Sequence, residues 1–130
     1  MNTTITMKFS ASIGIVAGYG GEEILTSAEK IPADAMAKAW QEVAAEVMKE
    51  TGIYVSAIIT PAKVLYHTDW GCPIGGEPVF ELSGSLNPQF AERDAWMNAV
   101  EACVRKVKTK FGQSTVTVEF WEVQHLYITD

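Results

Sequence analysis

The sequence predicts an α+β fold in which two helices cover one face of an antiparallel sheet. Residues 5–17 alternate apolar and polar side chains with the period of two that a half-buried strand shows. Two other segments, 32–52 and 87–112, instead carry apolar residues at helical spacing. The remaining apolar runs are short and bounded by glycine or proline, as strands usually are. The predicted order is ββα, βββ, αβ, which a two-layer arrangement accommodates.

The first strand is expected to bury one face and expose the other. Its two faces carry Ile5, Met7, Phe9, Ala11, Ile13 and Ile15 on the apolar side, and Thr4, Thr6, Lys8, Ser10 and Ser12 on the polar side. The turn sequence GYGG at residues 18–21 follows, because glycine permits the backbone angles of tight turns. Residues 22–27 are therefore predicted to return as the hairpin partner.

The first helix is predicted to begin at Pro32, a favoured first-turn residue, and to end at Gly52. Its apolar stripe consists of Met36, Trp40, Val43 and Val47. Residues 53–60 then read as a strand that Pro61 interrupts, and residues 63–67 as a separate strand. Residues 78–85 predict another strand.

The second helix is predicted to begin at the Asn87-Pro88 pair and to end at Gly112. Its apolar stripe consists of Phe90, Trp96, Val100, Cys103, Val107 and Phe111. Residues 114–123 alternate as a final strand, and the apolar tail 124–129 is expected to pair or pack. If that tail and Trp121 stay uncovered, they would form an interface with a second copy.

Composition narrows the function. At 130 residues the chain is expected to form one ligand-binding domain, residues 1–130. The 16 acidic residues outnumber the 10 basic ones, so the net charge of -6 argues against binding long nucleic acid. Two cysteines do not make a disulfide framework, and no segment suggests a leader or membrane span. A cytosolic protein with no membrane partner is expected.

Residues 66–77, with the sequence YHTDWGCPIGGE, form the most informative segment. Three glycines and a proline exclude a regular helix or strand. The same segment nevertheless carries recognition side chains, namely those of Tyr66, His67, Asp69 and Trp70. Because binding residues gather on loops held by a scaffold, this loop is predicted to form a pocket wall.

A nucleotide-sized site is the favoured interpretation of the aromatic residues near loops. The rings of Tyr19, Tyr66, Trp70 and Phe90 could stack on a base, and Arg93 could hold a phosphate. The backbone around Gly20 and Gly21 could add anion-binding N–H groups, although a plain hairpin turn is the simpler reading of that segment.

Two other chemistries fit the residues less well. His67, Asp69 and Cys72 are possible zinc ligand types, but the paired short spacings of a zinc site are missing, so no metal is predicted. Cys72 could act as a nucleophile with His67 or His125 as base. Since Pro73 follows Cys72 and no nucleophile signature surrounds it, loop packing is the simpler role.

Several segments together resemble the first class of small phage anti-Thoeris proteins. These segments are AGYGGEE at 17–23, TGIYVSA at 51–57, YHTDWGCP at 66–73, GGE at 75–77 and STVTVEF at 114–120. The resemblance implies a sponge that binds cyclic ADP-ribose isomers made by TIR-domain enzymes and sequesters them intact. Such a protein would block anti-phage defence in the infected host cytoplasm.

The resemblance also implies a dimer or a multiple of dimers, with signal pockets at the dimer edges. Some members hold cyclic oligonucleotides at a second site, which the shortage of arginine here argues against. The expected function is thus immune evasion by nucleotide binding, without catalysis and without a cofactor. The expected contacts are Tyr19, Gly20, Gly21, Tyr66, His67, Asp69, Trp70, Phe90 and Arg93. The rival hypotheses are a small Cys/His-dependent hydrolase or isomerase and a structural oligomerisation module.

Overall fold

A computed structural model describes residues 3–14 and 33–129 of the chain. Its elements are β1 (Thr4–Gly14), α1 (Ala33–Thr51), β2 (Ile58–Val64), β3 (Glu77–Ser85), α2 (Arg93–Lys110) and β4 (Val118–His125). A short 3-10 helix, Thr68–Trp70, lies in the connection between β2 and β3. The described elements thus follow the order βαββαβ.

The four strands form one antiparallel sheet in the order β2-β3-β1-β4. Each helix connects two strands that have a third strand inserted between them, which is the split βαβ arrangement of ferredoxin-like folds. The predicted α+β class and antiparallel sheet are confirmed.

Both helices pack on the apolar face of β1, where Phe9 is completely buried. The Phe9 ring stacks on Trp40 of α1 at a centroid distance of 6.2 Å and contacts Trp96 of α2 at 5.9 Å. The predicted stripe of α1 is buried, and so is that of α2 from Trp96 to Val107. The helices therefore meet over the centre of β1 and leave the opposite face of the sheet uncovered by either.

Both predicted helix ends are confirmed. Gly52 follows α1 with a positive φ of 83° and donates to the Met48 carbonyl at 2.7 Å. Gly112 follows α2 with a φ of 62°. Glycine adopts this left-handed conformation without the strain that a Cβ atom causes.

Ion pairs join the polar sides of the two helices. Lys106 Nζ lies 3.1 Å from Glu46 and 3.8 Å from Glu50, and Lys110 Nζ pairs with Glu42. Part of the basic cluster on the second helix therefore serves contacts between helices. Neither α1 nor α2 is both long and apolar enough to cross a membrane.

Several predicted boundaries are wrong. Pro61 does not divide two strands, because β2 runs through it and pairs Pro61 with Phe80. A proline is tolerated there since β2 lies at the edge of the sheet that the described strands form. Phe90 precedes α2 instead of lying on its stripe, because residues 87–90 form a turn in which Phe90 N–H donates to the Asn87 carbonyl. β4 begins at Val118, four residues after the predicted start.

The polar and apolar faces of β1 are as predicted except at its beginning. Ile5 is exposed, whereas Thr6 is buried and donates its hydroxyl to the Leu86 carbonyl at 2.8 Å. That hydrogen bond makes the burial of a polar side chain acceptable. Ile15, the turn at 18–21, the predicted hairpin strand at 22–27 and Pro32 lie outside the described residues.

Candidate active site

A groove of about 350 Å³ lies on the face of the sheet opposite the helices. Ser10 and Ser12 line it, and they alternate along β1 with the buried Phe9, Ala11 and Ile13. We call it the Tyr66 groove, and its other lining residues come from β1, the end of β2, the β2–β3 loop, β3, and the segment from α2 into β4. These are Ala11, Gly14, Val64, Tyr66, Trp70, Glu77, Val79, Gln113, Thr115, Thr117 and Glu119. Its volume is within the range of small-molecule sites.

A tyrosine–glutamate pair stands at one end of the groove. The Tyr66 hydroxyl donates to Glu77 Oε1 at 2.9 Å. The two residues come together because Val64, at the end of β2, pairs with Glu77, at the start of β3. Antiparallel pairing therefore places Tyr66, two residues beyond Val64, beside the carboxylate that opens the next strand.

Gly14 leaves space for two polar side chains at the same end of the groove. A Cβ atom on Gly14 would lie 2.4 Å from Gln113 Oε1 and 3.6 Å from Glu77 Oε2. Gln113 Nε2 also donates to the Phe111 carbonyl at 3.2 Å. The end of β1 therefore brings the Gln113 amide and the Glu77 carboxylate close together.

The β2–β3 loop presents Trp70 at the rim of the groove. His67 Nδ1 accepts the Asp69 N–H at 3.0 Å and caps the short 3-10 helix, and Gly71 follows that helix with a φ of 98°. Trp70 is 76% exposed, and its ring centroid lies 5.7 Å from that of His67. A flat ligand entering the groove could cover this exposed ring.

The charge of the groove is acidic. Glu77 and Glu119 contribute carboxylates, and the described lining includes neither lysine nor arginine. Such a site attracts cations and repels the phosphates of a nucleotide. This is the physical reason why the expected anionic, pyrophosphate-containing ligand does not fit the groove.

The structure brings together only some of the predicted contact residues. Tyr66 and Trp70 line the groove, with His67 and Asp69 in the adjoining turn. Phe90 lines a separate cavity of about 370 Å³ with Tyr54 and Trp96. Arg93 lies at a third cavity, and its guanidinium is 3.4 Å from Glu122. Tyr19, Gly20 and Gly21 lie outside the described residues.

Sequence reasoning did not single out the groove residues that lie far from the loop. Ser10 and Ser12 were assigned to the polar face of a strand, and Glu119 to a strand edge. Gln113 follows the glycine that ends α2 and carries no motif. The alternation of β1 was a usable signal, since it places two serines on one face, but their neighbours depend on the strand order.

The thiols and imidazoles do not form a nucleophile site in the described part of the chain. Cys72 is hydrogen-bonded to backbone groups, and His67 to the Asp69 N–H. Burial in the core raises the pKa of the Cys103 thiol to about 12. Over residues 3–14 and 33–129, no three side chains of histidine, cysteine, aspartate or glutamate cluster as metal ligands would.

Comparison with known proteins identifies relatives of this arrangement. The family model described as SAM lyase matches residues 4–129. A solved structure described as a phage SAM lyase in the apo state shares 15% identity, with 91% of this chain and 81% of that chain covered and a TM-score of 0.61. One described as a phage SAM lyase in complex with S-methyl-5′-thioadenosine shares 15%, with 90% and 81% covered and a TM-score of 0.54. A search of curated proteins finds no significant match.

These findings overturn the expected function. The anti-Thoeris sponge, the absence of catalysis and the capture of cyclic ADP-ribose isomers or cyclic oligonucleotides are wrong, because the matching family is one of lyases. The solved relative with a ligand holds S-methyl-5′-thioadenosine, which carries no phosphate. The resemblance to phage proteins is retained at the coarser level, since both solved relatives are described as phage proteins.

Proposed function

Because the chain belongs to the SAM lyase family, we propose that it cleaves S-adenosylmethionine in the Tyr66 groove. The acidic character of that groove is the observation that carries the proposal. S-adenosylmethionine presents two positive charges, on its sulfonium and its ammonium group, and both suit a site lined by Glu77 and Glu119 without a lysine or arginine among the described lining residues.

The proposed reaction breaks the bond between the sulfur and Cγ of the amino-acid chain. Sulfur keeps both bonding electrons and becomes the neutral thioether of S-methyl-5′-thioadenosine, the compound bound to one solved relative. A lyase adds no water, so the new bond to Cγ must come from an atom of the substrate itself. Attack by the substrate's own carboxylate gives a lactone, whereas loss of a Cβ proton to a base gives an unsaturated amino acid.

Glu77 is best assigned to the ammonium group of the substrate. The charge on sulfur disappears during the reaction, so a carboxylate beside sulfur would stabilise the substrate more than the transition state. The ammonium charge persists throughout, and a carboxylate facing it orients the reacting chain without that cost. The Tyr66 hydroxyl, 2.9 Å from Glu77, holds the carboxylate in place.

Trp70 and the serines of β1 would complete the binding of the nucleoside. The exposed indole offers a flat apolar face to adenine, and the Ser10 and Ser12 hydroxyls offer hydrogen bonds to the ribose. We further propose that this is a phage protein that acts in the cytoplasm of the infected cell, where S-adenosylmethionine is found.

The test is incubation of the protein with S-adenosylmethionine, followed by mass spectrometry of the products. We expect S-methyl-5′-thioadenosine without ¹⁸O, and an amino-acid product without ¹⁸O on Cγ, when the reaction is run in H₂¹⁸O. Glu77→Gln should lower kcat/KM at least about 100-fold, since it removes the charge that orients the substrate. Glu81→Gln makes the same change on the same strand outside the groove lining and should retain activity.

Intact substrate after prolonged incubation would contradict the proposal. ¹⁸O in a hydroxyl on Cγ of the amino-acid product would indicate a hydrolase, whereas ¹⁸O in its carboxylate only reports later opening of a lactone by water. The identity of that product, a lactone or an unsaturated amino acid, distinguishes the two routes. Equal activity of Glu77→Gln and Glu81→Gln would place the reaction outside the Tyr66 groove.

A further inference from the structure

We propose that Cys72 is a positioning residue that holds Tyr66 against Glu77, so that modification of the Cys72 thiol abolishes activity at the Tyr66 groove. The part of this inference that concerns activity rests on the proposed function. Cys72 is not a lining residue of the groove. Its effect would pass through the backbone of Tyr66.

The thiol is the point at which the β2–β3 loop closes on itself. Cys72 Sγ accepts a hydrogen bond from the Tyr66 backbone N–H at 3.4 Å. The same sulfur lies 3.4 Å from the Pro73 carbonyl and 4.0 Å from the Val64 carbonyl, either of which can accept the thiol proton. One side chain therefore contacts the end of β2, the tyrosine and the returning chain.

This closure matters because Tyr66 lies beyond the regular strand. β2 ends at Val64, two residues before Tyr66. Its side chain must nevertheless reach Glu77 Oε1, which it does at 2.9 Å. With the backbone held by Cys72 and the hydroxyl held by Glu77, the tyrosine is fixed at both ends.

The two cysteines differ in access. Cys103 is fully buried in the core, whereas Cys72 is only partly buried. A thiol reagent applied to the native protein would therefore react at Cys72. The attached group would occupy the space in which the sulfur now meets the Tyr66 N–H.

The experiment combines Cys72→Ala, Cys72→Ser, Tyr66→Phe and the double variant Tyr66→Phe/Cys72→Ala. We expect Cys72→Ala to lower kcat about tenfold, because a misplaced orienting group costs rate. Cys72→Ser should recover part of that loss, because a hydroxyl also accepts a hydrogen bond. In the Tyr66→Phe background, Cys72→Ala should cause no further loss, which is the sign of two residues that act together.

A matched control comes from the same loop. Thr68→Ala changes an exposed side chain between Tyr66 and Cys72 and should leave kcat unchanged. N-ethylmaleimide should inactivate the wild type but not Cys72→Ser. Additive losses in the double variant, or a loss in Cys72→Ala that Cys72→Ser does not recover and that follows a lower Tm, would overturn the inference in favour of a purely structural role.

A second readout needs no catalysis. Hydrogen exchange at the Tyr66 amide should be about tenfold faster in Cys72→Ala than in the wild type, since the N–H loses its partner. Unchanged exchange would overturn the inference even if the enzyme is active. If the wild type does not cleave S-adenosylmethionine but exchange accelerates as expected, the proposed function fails and the positioning role of Cys72 stands.

Discussion

At the scale of single residues, the environment of a side chain decides its chemistry more than its type does. The chain has two cysteines, and the sequence favoured packing roles for both. Cys103 does pack in the core, and burial raises the pKa of its thiol to about 12. Cys72 packs as well, but against the backbone of a residue in the candidate site. The apolar spacing of the helix predicted the first environment, whereas the second depends on a loop conformation without a periodic signal.

Cys103 should resist alkylation in the native protein. At pH 8.5 iodoacetamide should label one thiol per native chain and two per chain unfolded in urea, counted by mass spectrometry, because the reagent needs an accessible thiolate. Two labels on the native chain would contradict the burial of Cys103.

The same thiol makes stability fall at alkaline pH. Its pKa is 9.0 when exposed and about 12 in the folded protein, so between these values the unfolded chain loses a proton that the native chain keeps. The free energy of unfolding should therefore decrease as pH rises above 9. Urea titrations at pH 8 and pH 10 should show a smaller decrease in Cys103→Ala, while Cys72→Ala should retain the wild-type decrease. An identical decrease in the free energy of unfolding between pH 8 and pH 10 in all three proteins would count against this assignment.

At the scale of secondary structure elements, the sequence patterns predicted helix ends and buried faces, but not strand order or every element boundary. Both helix ends and the burial of β1 beyond Thr6 follow from glycines and alternation visible in the sequence. The division at Pro61 and the early start of α2 were wrong because proline and asparagine have roles that depend on context. Pro61 stands in an edge strand, and Asn87 Oδ1 accepts the Gln89 N–H in a turn. Strand order, which assembles the Tyr66 groove, has no signal in local spacing.

Gly84 should tolerate no side chain, although its backbone is an ordinary strand. A Cβ atom there would lie 2.3 Å from the Ser56 carbonyl oxygen and 2.9 Å from the Phe9 ring. Gly84→Ala should lower the free energy of unfolding by about 2–3 kcal/mol, because overpacking displaces a backbone and a core ring. Urea denaturation measures this, with Ser85→Ala, an exposed neighbour on β3, as control. A loss equal to that of the control would mean that β3 can move away from the Ser56 carbonyl.

The ion pair between the helices should make stability depend on pH in the acidic range. The hydrogen bond from Lys110, together with its charge, lowers the pKa of Glu42 below its usual 4.5. A depressed carboxyl pKa stabilises the folded state above the unfolded-state value, and that contribution is lost as pH falls through the folded-state value. Lys110→Ala should thus lower Tm at pH 7 by about 1–3 °C, and this effect should shrink as pH falls and Glu42 becomes protonated. A Tm difference that stays constant from pH 7 into the acidic range would contradict the pairing.

At the scale of the whole molecule, the fold separates a packed apolar face of the sheet from a polar face that carries the Tyr66 groove. The helices and the apolar side of β1 form the core, while the polar side of β1 contributes to the Tyr66 groove. The net charge of the sequence argued against long nucleic acid as a partner, but it did not show that acidic groups line the groove itself. The resemblance to a nucleotide-binding phage family led to an anionic ligand, whereas the groove favours a cationic one. That the chain forms one domain over residues 1–130 stays a prediction.

The charge of the bound ligand should control affinity. Sinefungin places an amine where S-adenosylmethionine has its sulfonium, and S-adenosylhomocysteine has the same skeleton without that charge. At low salt, sinefungin should raise Tm more than S-adenosylhomocysteine does. This difference should shrink in 0.5 M NaCl, where a Debye length of about 4 Å screens the charges of the groove carboxylates. Thermal shift measurements on the wild type and on Glu119→Gln test this. A larger shift with S-adenosylhomocysteine at low salt would show that the groove does not select for positive charge.

Pro61 also has a meaning for how the molecule behaves in a crowded cell. A strand at the edge of a sheet exposes unpaired backbone N–H and C=O groups, with which a strand of another chain can pair. Repeated pairing of this kind leads to fibrils. Proline lacks the N–H that an uninterrupted ladder requires, so on β2 it blocks that growth. The opposite border, β4, carries no proline. Among the described strands, protection from polymerisation is therefore built into the β2 edge by proline, whereas at the β4 edge the described residues can supply it only through the side chains of β4.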